Sequence, residues 1–219
     1  MDEQEFLKER FKSAVTSAVK AISENFDLDI KFGNNTDAKK NSIILPEVVN
    51  LKNNEDFLNL RAYADSEALK IKYTDKKIYH QNEPGGATGK ALYAVAEKIR
   101  YEKIGSDKLK GIRNNITQNY QNKIKSKKVE EIKIEDSVSI EDAFELYLRS
   151  HFFYVKKNNI TKKILKPWKN LFDKILSENL KKLDDLVKDQ SKFSKLVSSL
   201  IQNFDFEDKE AQKKEEEND

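Results

Sequence analysis

Cysteine is absent from this chain of 219 residues, which excludes disulfides, thiolate nucleophiles and cysteine-ligated zinc. Histidine is nearly absent too: His80 and His151 stand far apart, with no second histidine at ligand spacing, so they read as ordinary surface or helix-end imidazoles. No apolar run approaches the roughly 20 residues that a helix needs to span a bilayer. The amino-terminal stretch MDEQEFLKERF carries charge where a signal peptide needs an apolar core. These absences lead to the expectation of a soluble, cytoplasmic protein with no membrane association. A dominant charge is lacking as well. The 41 basic and 38 acidic residues nearly cancel, to +3, and their interspersion argues against the one-signed patch of a nucleic-acid binder.

What the chain does have is helical periodicity. Phe6, Leu7, Phe11, Ala14, Val15, Ala18, Val19, Ile22 and Phe26 recur three and four apart and predict a helix over 3–26. Leu28, Ile30 and Phe32 then alternate with charged residues, the period of a strand. Gly33-Asn34-Asn35 offers turn chemistry, and Ile43-Ile44-Leu45 a second extended segment, so a small β-hairpin is expected here. A helix follows from a cap at Asn53 or Asn54 to about Ile71. Asp75 to Pro84 reads as polar and irregular, and Ala91 to Ile104 as the central helix. Residues 117–138 are polar and Lys-rich, a linker or a frayed helix extension. Ile140 to about Tyr154, a stripe from Trp168 to Leu183 behind Pro167, and Phe193 to Ile201 supply further helices.

The expected fold is therefore mainly α: a multi-helix domain with one small β element and a disordered, charged carboxy-terminal tail. Its parts are a core over 1–116, the linker 117–138, carboxy-terminal helices over 139–204 packing on the core, and the acidic tail 205–219.

Glycine is scarce, and five of the six glycines fall between residues 85 and 111. Gly85-Gly86-Ala87-Thr88-Gly89-Lys90 before a helix suggests a phosphate-binding loop, but Pro84 occupies the position of the first required glycine and Ala91 that of the hydroxyl. The stretch reads better as a helix-opening turn. Pro84, Gly85 and Gly86 would form that turn, with Gly105 and Gly111 as further turn or stop positions. Asp136-Ser137-Val138-Ser139 falls one residue short of the metal-ion-dependent adhesion pattern Asp-x-Ser-x-Ser. No catalytic, cofactor-binding or metal-ligating set emerges.

The charges around the central helix carry more information. At about 100° per residue, Leu92, Val95, Ala96 and Ile99 face one way, with Arg100 and Glu102 on opposite margins and Glu97 three residues before Arg100. Arg61 and Asp65 are four apart on the preceding long helix. If the two helices pack together, Arg61, Asp65, Glu97, Arg100 and Glu102 form a partly buried ion network or a partner-facing surface. Otherwise they are solvated pairs worth a few tenths of a kcal/mol each.

These same residues carry a family likeness. Arg61-Ala62-Tyr63-Ala64-Asp65-Ser66-Glu67-Ala68-Leu69, His80 with Pro84-Gly85-Gly86, and Leu92 through Gly105 followed by Gly111 resemble the amino-terminal region of CobT, a subunit of the aerobic, ATP-dependent cobaltochelatase. Ala96 is one departure from that family's local register. The likeness extends over most of residues 10–205. It implies a non-catalytic subunit working with a CobS-like AAA+ ATPase and a large CobN-like subunit, in a complex that inserts cobalt into a corrin during cobalamin biosynthesis. The complex as a whole would be a ligase forming a metal–nitrogen coordination bond. ATP, magnesium and cobalt would sit on the other subunits, and the chain could self-associate within the complex. In that family an acidic linker leads on to a carboxy-terminal von Willebrand A domain, and this sequence stops within what resembles the linker. An alternative implication is an adaptor for a MoxR-type AAA+ ATPase that remodels another client.

Overall fold

Apolar residues at three- and four-residue spacing do most of the building. The computed structural model describes residues 3–33, 41–48, 54–126 and 138–204. It is mainly helical, with one two-stranded sheet near the amino terminus. Contacts divide the chain into two units: residues 1–74 with 101–126, and residues 75–100 with 127–219.

In the first unit, helix α1 (Glu3–Ser23) buries Val15 and Val19, while Phe6 and Leu7 at its start are about half exposed. Strands β1 (Asp29–Phe32) and β2 (Ser42–Leu45) pair in parallel, Ile30 beside Ile43 and Phe32 beside Leu45. The expected hairpin is thus a parallel ribbon. Its connection from Gly33 to Asn41 exceeds the two to five residues of a typical hairpin loop. At about 3.3 Å per residue it is long enough to carry the chain back to the start of the first strand. Helix α2 (Asn54–Tyr73) closes this core, in which Leu60, Ala64 and Ala68 join Val15, Val19, Leu28, Leu45 and Val48. Small residues at 64 and 68 let the backbones approach. Helix α5 (Lys110–Ser126) buries Ile112, Ile116, Tyr120 and Ile124, every fourth residue, as one stripe. Each buried isoleucine is worth roughly 1.5–3 kcal/mol.

Residues 117–126 therefore lie in the regular helix α5. Residues 127–137, the cap at Asn53 or Asn54, and the tail 205–219 lie outside the described residues and side chains.

The second unit contains helix α3 (Lys76–Asn82), where an irregular segment was expected. Asp75 makes it a helix: its carboxylate accepts from the Lys77 and Ile78 amides at 2.7 and 3.2 Å, satisfying two of the orphan donors of a helix start. Asp75→Ala should lower the unfolding free energy by about 1 kcal/mol, the ordinary worth of such a cap. A shifted urea midpoint with an unchanged slope would show it.

Helix α4 (Ala87–Lys108) gives its first part to the second unit and Tyr101–Lys108 to the first. Helices α6 (Ile140–Phe152), α7 (Asn159–Leu165), α8 (Lys169–Leu176), α9 (Leu180–Leu186) and α10 (Gln190–Gln202) complete the second unit. The stripe from Trp168 to Leu183 is broken by a 3-10 turn at Ser177–Asn179. Helix α7 escaped the sequence reading, although Asn158 and Thr161 cap it reciprocally. Phe144, Phe172 and Phe204 meet edge-on, with ring centroids 5.8–6.2 Å apart, a geometry worth about 0.5–1.5 kcal/mol per pair beyond burial.

Candidate functional site

Helix α4 is buried on almost every side. Between Leu92 and Ser106 only Ala94 and Lys98 are exposed. A helix in that position cannot send its charges to water, so they need partners inside the protein.

In the second unit Glu97 and Arg100 are each 1% exposed. Arg100 Nε donates to Glu97 Oε2 at 3.0 Å. Helix α10 supplies the rest of the carboxylate's shell: Ser194 Oγ donates to Oε1 at 2.6 Å, and Gln190 Nε2 lies 3.5 Å from Oε2. Gln190 also clasps the backbone of Asp75, accepting from its N–H at 2.7 Å and donating to its carbonyl at 3.2 Å. Tyr93, one turn before Glu97, is fully buried and donates to the Tyr79 carbonyl at 3.1 Å. Burial, more than any other influence, pushes its phenol up to about 12. A second buried pair lies on α6, where Arg149 Nε donates to Glu145 Oε1 at 2.9 Å. The sequence reading passed over this pair, although its spacing of four on a strongly amphipathic helix was a usable signal.

In the first unit Asp65 is wholly buried. Arg61 Nη2 approaches its Oδ1 to 2.8 Å, an ion contact whose angle is not that of a hydrogen bond, and Asn115 Nδ2 of α5 donates to its Oδ2 at 2.8 Å. Burial raises the Asp65 carboxyl above its usual range; Arg61 and Asn115 pull it back only in part. A carboxyl whose folded pKa is raised holds its proton more tightly folded than unfolded. It therefore contributes a loss of stability as pH rises from its unfolded value near 3.8 through the raised folded one. Asp65→Asn should abolish that component. Unfolding curves at stepped pH would test it, and a variant whose pH dependence matches the parent's would overturn the assignment. Glu102, 2% exposed, accepts from Ser66 Oγ at 2.6 Å.

The five charges picked from the sequence thus fall into two sets. Arg61, Asp65 and Glu102 belong to the first unit, on α2 and the end of α4, and Glu97 and Arg100 to the second. Ser66, Asn115, Gln190 and Ser194, which complete these sites, are neutral side chains that charge patterning could not find.

The glycines separate as well. Pro84, Gly85 and Gly86 form the bend between α3 and α4, with Gly86 at φ +72° and its carbonyl accepting the Lys90 amide. Lys90 pairs with Glu83 at 3.4 Å. Gly105 and Gly111 are not turns: both lie within helices. A Cβ on Gly105 would stand 2.3 Å from Leu69 Cδ2, so this glycine serves close packing of α4 on α2. At Gly111 nothing stands within 4 Å of such a Cβ.

Among the described residues, no group of three or more histidine or carboxylate side chains is placed to hold a metal ion, and no helix is long and apolar enough to cross a membrane. What the arrangement does chemically is hold charge in place: its carboxylates are committed to guanidinium, hydroxyl and amide donors. The family described as cobalamin biosynthesis protein CobT matches residues 6–219 of the chain. No solved structure matches it.

Proposed function

The chain belongs to the CobT family of cobalamin biosynthesis proteins, and from that premise we propose that it acts as a non-catalytic subunit of a cobaltochelatase-like complex. The family match over residues 6–219 carries this reading. The buried charges support a structural part for the central helix, because Glu97, Asp65 and Glu102 each engage side chains of the same chain. On this reading an AAA+ ATPase subunit of the CobS kind binds ATP and magnesium. A large subunit of the CobN kind holds the corrin, and cobalt is a substrate of the complex. The chain docks these components in the cytoplasm and passes ATP-driven movement between them.

The test is reconstitution. The three chains with ATP, magnesium, cobalt and a metal-free corrin should form the cobalt corrin, followed by absorbance. Leaving this chain out should abolish formation, and the chain should co-purify with the ATPase. Full activity without the chain, or no binding to the ATPase, would defeat the proposal. Binding to the ATPase without any support of cobalt insertion would point instead to an adaptor for a MoxR-type ATPase.

A further inference from the structure

The near balance of charge across the whole chain conceals a local imbalance. Between Tyr154 and Lys182 there are nine lysines against only Asp173 and Glu178. Lys156, Lys157, Lys162, Lys163, Lys166 and Lys169 are all exposed. Helix α7 turns Thr161, Ile164 and Leu165 inward, which at about 100° per residue sets Lys162, Lys163 and Lys166 together on the opposite, outer side. Asp173 on α8 is hydrogen-bonded by Lys169 and by the Tyr147 hydroxyl. Its carboxyl is held below the usual range mainly by Lys169, with Lys157 adding a smaller pull. The one acidic group on α8 is thus already engaged by lysines, and the surface around it is left positive.

The compensating charge lies elsewhere on the same chain. Residues 205–219 carry eight acidic side chains against three lysines. The last described residue before them, Phe204, is buried against Phe144 and Phe172, and Phe172 sits on α8 between Lys169 and Lys174. The acidic segment therefore starts from a residue packed on the helix that bears part of the basic surface. Its reach, on the order of 50 Å at about 3.3 Å per residue, covers α7 as well. A tether of this length presents its charges at an effective concentration of about millimolar.

We propose that the lysine surface of α7 and α8 is a docking site for an acidic polypeptide segment, and that residues 205–219 of the same chain are its occupant. Charge supplies the attraction. The contact is therefore exchangeable and weakens with salt, because exposed charges are screened beyond about 8 Å at physiological ionic strength.

Zero-length carbodiimide cross-linking of the full chain, read by peptide mass spectrometry on the monomer band, tests this. The expected result is amide links from carboxylates within 207–217 to Lys162, Lys163 or Lys166. They should exceed those to the exposed Lys76, Lys77 and Lys98 at least fivefold in 20 mM salt, and that excess should fall away in 500 mM. The triple variant Lys162→Gln, Lys163→Gln, Lys166→Gln changes only outward side chains and should lose the preference while unfolding at the parent's temperature. Links spread evenly over all exposed lysines would overturn the proposal. So would links confined to a dimer band, which would make a second copy the occupant. Protection of the same lysines by a single-stranded oligonucleotide, with no preferred links in its absence, would assign the surface to nucleic acid and equally defeat the proposal.

Discussion

Glu97→Ala is expected to destabilise the protein by about 3–5 kcal/mol, the range for breaking a buried pair from one side. Arg100 would keep its charge at 1% exposure while losing the carboxylate 3.0 Å from its Nε. Ser194 would lose the acceptor of a 2.6 Å hydrogen bond, and Gln190 a neighbour beside its clasp on Asp75. The loss follows from taking a carboxylate away from a buried guanidinium, so removing both charges should cost much less. Glu97→Leu combined with Arg100→Met is expected to regain most of the loss, because apolar residues of similar volume often replace buried pairs at little cost. Urea unfolding of the two single variants and the double variant gives the coupling energy directly. Losses below about 1 kcal/mol for Glu97→Ala would mean that the pair behaves as a solvated one. A variant of parental stability that nonetheless failed to bind the ATPase would move Glu97 from a structural part to a partner contact.

This expectation depends on α4 being enclosed on nearly all sides, and the sequence could not show that. A helical wheel assumes one buried face. Applied to α4 it finds Leu92, Val95, Ala96 and Ile99, and pushes Glu97, Arg100 and Glu102 to the margins or to solvent. It still singled out the right helix, because three charges crowded so close to an apolar stripe are hard to solvate together. The long helices were legible for the same reason, from spacing alone. The strand pairing was not: Ile30, Phe32, Ile43 and Leu45 announce extended segments, but alternation is blind to direction, and here the connection permits a parallel return. Helix α3 was missed because its lone cap, Asp75, has no apolar stripe behind it. None of its residues is buried, and it is held by the cap and by Gln190, a residue far along the chain. Asn115, Gln190 and Ser194 were beyond reach in the same way, since a neutral donor gives no sign in the sequence of which carboxylate it will meet.

Gly105 makes the sharpest case of a residue whose type was noticed and whose reason was not. It lies inside α4, and its significance is distance. A Cβ there would meet Leu69 Cδ2 at 2.3 Å, Cδ1 at 2.5 Å and Cγ at 3.0 Å. Leu69 is itself 1% exposed and has little room to retreat. Overpacking of this kind costs about 1–3 kcal/mol, while glycine to alanine in a helix regains up to about 1 kcal/mol. Gly105→Ala should therefore lose only about 1 kcal/mol. Gly105→Val adds two methyls to the same contact with little gain in helix preference, and should lose about 3 kcal/mol, the top of the overpacking range. Shortening the neighbour distinguishes steric conflict from any need for glycine's flexibility. With Leu69→Ala in place, Gly105→Val should become nearly neutral or slightly stabilising, because the new side chain fills the space that leucine vacates. The pair of thermal unfolding curves decides it. An equal loss from Gly105→Val with and without Leu69→Ala would show that α4 approaches α2 for some reason other than the missing side chain. A loss that vanishes would establish Gly105 as the residue that lets Ser66 reach Glu102 one turn away, since the 2.6 Å bond between them needs the same close approach of the two helices.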